Sequence, residues 1–308
     1  MRRTCLDMVH ELARRDDRVI YIGSDPGPGT MAAMGEEFPS RCLIEGISEA
    51  NVIGMAAGLA MEGYIPYVNT IATFLTRRCY EQVALDLCLH KLPVRLIGNG
   101  GGMVYAPLGP SHTAVEDMAI MRALPDMTVV ALADADEMRR FMPLTLDWPG
   151  PIYIRLARGG DPLVSKDENG FEIGKAILMR PPGDVLIVST GSMLCQCLKA
   201  AETLQEEGIS AGVLHVHTIK PLDGEALHKH SQGVCMVATV EEHLRTGGLN
   251  SAVLEALSDR PEKPMPRVMS FSIPDVFTHR YGSQSDILEH YGLTSNGIAA
   301  AIAAAIEP

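Results

Sequence analysis

An acid stands alone at the entrance to an apolar stretch. In the run 46–63, G-I-S-E-A-N-V-I-G-M-A-A-G-L-A-M-E-G, Glu49 precedes Val52, Ile53, Met55, Ala56, Ala57, Leu59, Ala60 and Met61. A carboxylate carried into such surroundings needs a polar partner, because an unpaired buried charge is costly. The residues alone leave two readings open. Ser48 is placed to cap a helix whose dipole favours an acid in the first turn. Alternatively, the carboxylate is held there to hydrogen-bond a ring nitrogen of a cofactor. Gly54 and Gly58, spaced by four, would let that helix pack closely against another element.

Other residues offer complementary chemistry. Ser111 and His112 close a loop, 98–111, rich in Gly and Pro. Such loops lie at strand ends, where α/β proteins bind ligands. His112 reads either as a cap or surface histidine, or as a proton donor to a sugar hydroxyl or carbonyl oxygen. The segment T-I-A-T-F-L at 70–75, followed by Arg77, Arg78 and Tyr80, offers Phe74 as a stacking platform or as an ordinary core side chain. Arg2, Arg155 and Arg158 are candidate anion contacts, or solvated charges. The sequence has no Walker loop, no G-x-G-x-x-G, no H-E-x-x-H and no G-D-G with a later Asn pair. Gly27-Pro28-Gly29 is too short and Pro-rich for a phosphate cradle. The chain thus shows no metal site or diphosphate site of its own.

These residues must be positioned by a chain of 308 residues, 46% hydrophobic, which is long enough for two domains with cores. An excess of 38 acidic over 26 basic side chains, net −12, argues against a nucleic-acid or anionic-membrane partner. No apolar run reaches the ~18–20 residues of a membrane span, and the N-terminus lacks a signal-peptide core. Seven scattered cysteines, with only Cys195 and Cys197 close together, point to reduced thiols and a cytoplasmic location. Helical and β-rich patterns alternate throughout, which predicts α/β layers around mostly parallel sheets. Strands are expected at 18–23, 65–68, 94–97, 128–132 and 152–156, with helices at 5–15, 79–90 and 135–146. A segment without clear periodicity follows. A second α/β unit then has strands at 184–189, 212–217, 233–240 and 267–272, and closing helices at 283–291 and 295–306. The expected division is 1–160, a linker at 161–183, and 184–308.

The 46–63 run resembles the pyrimidine-binding domain of transketolases and 1-deoxyxylulose-5-phosphate synthases. The similarity extends in order through H-K-L-P-V (90–94), G-P-S-H (109–112), A-D-A-D-E (133–137), G-P-I-Y-I-R-L-A-R (150–158), H-T-I-K-P-L-D (217–223) and E-E-H-L-R-T-G-G-L (241–249). The whole looks like the C-terminal half of a transketolase, a pyrimidine-binding domain plus a transketolase C-terminal domain, as a separate subunit. The resemblance implies thiamine diphosphate as cofactor. It places Mg2+ and its ligands on a partner subunit that carries the diphosphate-binding domain, with two copies of each chain. The implied reaction moves a two-carbon ketol unit from a ketose to an aldose. Glu49 would hydrogen-bond N1′ of the aminopyrimidine and promote its imino tautomer. Phe74 would stack on that ring, with Ile71 where many relatives have a second aromatic, and Asp25 would be a further cofactor contact. His112 would touch substrate, and Arg2 and Arg158 would grip a terminal phosphate.

The departures from the family pattern lie in the 100–112 loop, G-G-G-M-V-Y-A-P-L-G-P-S-H. Gly100 stands where relatives have a phosphate-binding histidine, and Leu108 where they have an Asp that reads a substrate hydroxyl. This points to an altered ketose, with a different terminal anion such as a sulfonate or without a hydroxyl near Leu108. Two other assignments stay open on sequence: the beta subunit of a 2-oxo acid dehydrogenase, and a non-catalytic regulatory subunit. His217, Glu241 and His243 are expected to be structural or interface residues.

Overall fold

A computed structural model of the chain describes residues 1–24, 29–157, 159–259 and 265–306. Two sheets organise it. The first contains β1 (Val19–Ser24), β2 (Cys42–Glu45), β3 (Ile65–Ile71), β4 (Arg95–Asn99), β5 (Thr128–Ala131) and β6 (Ile152–Leu156). The second contains β7 (Ile177–Arg180), β8 (Val185–Ser189), β9 (Ala211–His215), β11 (Met236–Leu244) and β12 (Arg267–Ile273), while β10 (Thr218–Lys220) leaves it for the first. The orders are β10-β5-β6-β4-β3-β1-β2 and β12-β11-β8-β9-β7. All pairings are parallel except β10 with β5 and β7 with β9. Every residue of β1, β4, β5, β6, β8 and β9 is buried, as expected of parallel strands covered on both faces. The α/β class with mostly parallel sheets is therefore as the alternating pattern predicts.

Several local expectations shift. Strand β7 lies inside the aperiodic 161–183 segment and closes one edge of the second sheet. The helix expected over 79–90 is instead a short α-turn, Tyr80–Gln82, running into a π-helical turn, Val83–Cys88. The strand expected through 217 ends at His215. The chain then crosses so that Thr218 pairs with Val130, and Ala131 donates its N–H to the His217 carbonyl at 2.8 Å. Lys220 fastens this crossing through its Nζ, 3.0 Å from the Arg122 carbonyl and 2.5 Å from that of Leu124. No side-chain periodicity announces which sheet a three-residue strand joins.

Buried polar groups tie the two units together. Arg155 is committed internally and is not the anion contact considered from sequence. Its Nε meets Asp117 Oδ2 at 2.8 Å, and its Nη2 donates to the carbonyls of Ala114 (3.0 Å) and Glu242 (2.9 Å). Tyr153 donates to the same Asp117 oxygen at 2.7 Å. Glu242 accepts from the Met103 N–H at 2.6 Å and from Gln284, and burial holds its carboxyl above the usual range. Glu241 accepts the N–H groups of Leu249 and Asn250, which open the helix Leu249–Ser258. His243 accepts from the Ala119 N–H through Nε2, so its Nδ1 carries the proton that goes to the Leu244 carbonyl at 2.7 Å. His217 stacks on Phe171, with ring centroids 3.9 Å apart.

Candidate active site

Glu49 opens the helix Glu49–Met61, whose buried residues Val52, Ile53, Ala56, Ala57 and Ala60 form one face at helical spacing. That face lies against β1 and β3. Gly54 and Gly58 point away from it and would meet nothing within 4 Å if given a Cβ, so they do not mediate close packing within the chain. Ser48 occupies the N-cap position without capping the helix; its hydroxyl turns back to the Gly46 carbonyl at 3.3 Å. Glu49 is only 2% exposed. Its carboxylate is met from two sides. Ser24, the last residue of β1, has its Oγ 3.0 Å from Glu49 Oε1 and 3.0 Å from the Gly46 carbonyl, and its single proton serves one acceptor at a time. Arg78 Nη1 lies 2.6 Å from Glu49 Oε2.

The same guanidinium covers an aromatic face. Arg78 Cζ sits 4.1 Å from the centroid of the Phe74 ring, a cation–π distance. Phe74 belongs to the short helix Ala72–Thr76 that follows β3 directly, so the end of a central strand fixes its position. Phe74 also meets the His112 ring edge-on, with centroids 5.4 Å apart at 66°. His112 Nδ1 is 2.9 Å from Ser111 Oγ. The loop that carries it is held by neighbours of Phe74. Thr73 donates to the Ser111 carbonyl at 3.3 Å, and Arg77 Nη2 lies 3.1–3.3 Å from the carbonyls of Pro110, Ser111 and Thr113. Arg77 Nε also pairs with Glu116 at 3.0 Å, although burial still holds the Glu116 carboxyl above its ordinary value. Two consecutive arginines thus take different tasks, Arg77 fixing the loop and Arg78 meeting the acid.

Glu49, Phe74 and His112, inferred separately from sequence, form one contiguous row through Arg78. Ile71 ends β3, half-buried, as the residue before the Phe74 helix. Gly100 is buried at φ +74°, and a Cβ there would lie 2.1 Å from Tyr105 Cε2, so the tyrosine ring fills the space of any side chain at that position. Leu108 is 54% exposed beside a shallow cavity shared with Tyr105, Ser283 and Gln284. Arg2 opens the helix Arg2–Arg15 at a surface cavity shared with His10, Thr30 and Met31. A Cβ on Gly159 would sit 4.0 Å from the Arg2 nitrogen, so the chain following position 158 runs beside Arg2. Asp25 and Arg158 lie outside the described residues. Ser24 was not singled out from the sequence: a serine ending a strand carries no signal for a contact made 25 positions away. Arg78 was visible as one of an arginine pair, but its direction was not.

Residues 1–160 match the family model for the transketolase pyrimidine-binding domain, and residues 174–298 that for the transketolase C-terminal domain. The chain is 36% identical over 299 residues to the 6-deoxy-6-sulfo-D-fructose transketolase subunit SqwH of Clostridium sp., covering 97% of this chain and 92% of that one. It is also 36% identical over 299 residues to an apulose-4-phosphate transketolase subunit of Phocaeicola vulgatus, covering 96% and 94%. Among solved structures, a split-gene transketolase described as an inactive beta4 tetramer superposes with a TM-score of 0.90 at 36% identity, covering 99% of this chain and 97% of that one. Transketolase from Campylobacter jejuni shares the fold, with a TM-score of 0.78 at 17% identity, over 98% of this chain and 46% of that one. The chain belongs to the transketolase family, whose pyrimidine-binding and C-terminal domains it carries in that order.

Proposed function

We propose that this chain is the C-terminal subunit of a two-subunit, thiamine-diphosphate-dependent transketolase that moves a two-carbon ketol unit from a ketose to an aldose. The observation that carries this reading is the buried Glu49 carboxylate beside the face of Phe74. The Glu49–Phe74 pair suits an aminopyrimidine, because a flat, hydrogen-bond-donating group already lies against both: the Arg78 guanidinium is stacked on Phe74 and bonded to Glu49. Bound thiamine diphosphate would supply a carbon nucleophile for the ketose carbonyl and, in its cationic thiazolium ring, a sink for the electrons of the carbon–carbon bond that breaks. Glu49 accepts a hydrogen bond at the ring nitrogen N1′ and so controls the proton inventory of the ring. Phe74 fixes the ring plane, with Ile71 as an aliphatic wall and Asp25 as a further contact. His112, held by Ser111, hydrogen-bonds a substrate oxygen and moves a proton there. Arg2 and Arg158 bind the terminal anion of the sugar.

The partner subunit supplies the diphosphate-binding domain and the Mg2+ ligands, in an assembly of two copies of each chain. The two domains are taken as 1–160 and 184–308, joined by 161–183, whose strand β7 closes the edge of the second sheet. We place the enzyme in the cytoplasm: all seven cysteines are free thiols, and no described helix is long and apolar enough to cross a membrane. The donor is a modified ketose. Gly100 has no side chain to reach an anion, Leu108 has no acceptor for a hydroxyl, and one relative acts on a sulfo-sugar by its name. The test is co-expression with the partner subunit, followed by a screen of ketose donors with thiamine diphosphate and Mg2+. Turnover of a 6-sulfo ketose well above that of xylulose 5-phosphate is expected. Ordinary transketolase rates on xylulose 5-phosphate would remove the case for an altered donor, and decarboxylation of a 2-oxo acid would replace the assignment.

A further inference from the structure

We propose that Arg78 is the resident occupant of the ring site in the chain without cofactor, and that cofactor loading exchanges its guanidinium for the aminopyrimidine. The inference rests on the assignment of Glu49 and Phe74 to that ring. Arg78 makes the same two contacts that define the site, one to the Glu49 carboxylate at 2.6 Å and one to the Phe74 face at 4.1 Å. Two flat groups cannot share that space. The acid is the fixed member of the pair, 2% exposed at the start of a packed helix; the arginine side chain is 45% exposed on a flexible stem. Removed from the ring site, its guanidinium recovers hydration easily. Glu49 has no such escape, because without either partner it keeps, among the described residues, a share of the Ser24 proton alone. Arg78 thus neutralises a buried acid until a better-fitted group arrives.

Its neighbour cannot take this role, since Arg77 is held by Glu116 and by three loop carbonyls. The arrangement lowers apparent cofactor affinity, because only the fraction of molecules with Arg78 displaced can accept the ring.

The test is calorimetric titration of thiamine diphosphate, with Mg2+, into the chain assembled with its diphosphate-binding partner. Arg78→Ala is expected to bind about 5- to 30-fold more tightly than wild type, the range set by one half-exposed ion pair and one cation–π contact. Arg78→Lys, which keeps the charge but loses the flat stacking group, should fall between them and carries the test if the alanine variant does not fold. In Arg78→Ala, added guanidinium chloride at constant ionic strength should weaken binding more than sodium chloride does. Unchanged or weaker binding by both variants overturns the proposal. Phe74→Ala tests the underlying site separately: about tenfold or greater weakening is expected from loss of the stacking face. Wild-type affinity in that variant would sink the ring assignment itself, whatever Arg78 does.

Discussion

Replacing Glu49 with glutamine separates a catalytic acid from a structural one. The side chains have nearly the same shape, and the amide oxygen can still accept from Ser24, 3.0 Å away. What is lost is the charge facing Arg78. That pair joins a carboxylate at 2% exposure to a guanidinium at 45%, so solvent screens it and its worth is about 0.5–1 kcal/mol. Folding stability should therefore fall by no more than about 1 kcal/mol, or roughly 2–4 °C in Tm. Proton control at the ring nitrogen is a different matter: its loss should lower kcat by about 10²- to 10⁴-fold, equivalent to roughly 3–5 kcal/mol of transition-state stabilisation. The assays are a thermal melt of the subunit and coupled ketol transfer by the assembled enzyme. A kcat within about threefold of wild type, against the general acid–base range, would refute the catalytic role. A Tm loss above roughly 8 °C accompanying inactivity would make Glu49 a structural acid instead.

Asp117→Asn should destabilise the fold by about 3–5 kcal/mol, read by chemical denaturation, because it leaves Arg155 buried without its counter-charge. Burial pushes His217 and His243 down to about 4, so the folded chain prefers both neutral. Their contribution is complete above the ordinary histidine range near 6.5 and is lost as pH falls toward 4, by on the order of 3 kcal/mol each. Denaturation midpoints should accordingly drop across that window, and His243→Asn should flatten the slope. Gly100→Ala forces a side chain into the left-handed region and against Tyr105; a loss of about 1–3 kcal/mol is expected in the same assay.

The fold was legible in the sequence wherever burial is complete. Strands covered on both faces read as short apolar runs, V-I-Y-I in β1 and V-L-I-V in β8, and the helix behind Glu49 stands out as an apolar stretch. Legibility failed where structure depends on a distant partner. β10 is three residues long and joins a sheet built from residues much earlier in the chain, and β7 sits in a stretch whose half-exposed residues mask any period. The site follows the same division. Glu49, Phe74 and His112 declared themselves by residue type in an unusual setting. Ser24 and Arg78 are ordinary types in ordinary places, and only the chain's path brings them to one carboxylate.

The exchange of β10 into the first sheet makes the two domains inseparable as folding units. β5 is flanked by β6 on one side and by β10 on the other, so a fragment ending near residue 160 would expose a bare strand edge. Unpaired edges recruit other chains, and such a fragment is an aggregation hazard rather than a smaller working domain. A cut in the connecting stretch of the intact chain has the opposite outcome. The pieces stay joined by the borrowed strand, by Lys220, and by the buried hydrogen bonds from Arg155 to the Glu242 carbonyl and from the Met103 N–H to the Glu242 carboxylate. The boundary that sequence composition suggests within this chain is therefore not one along which the folded protein can be separated.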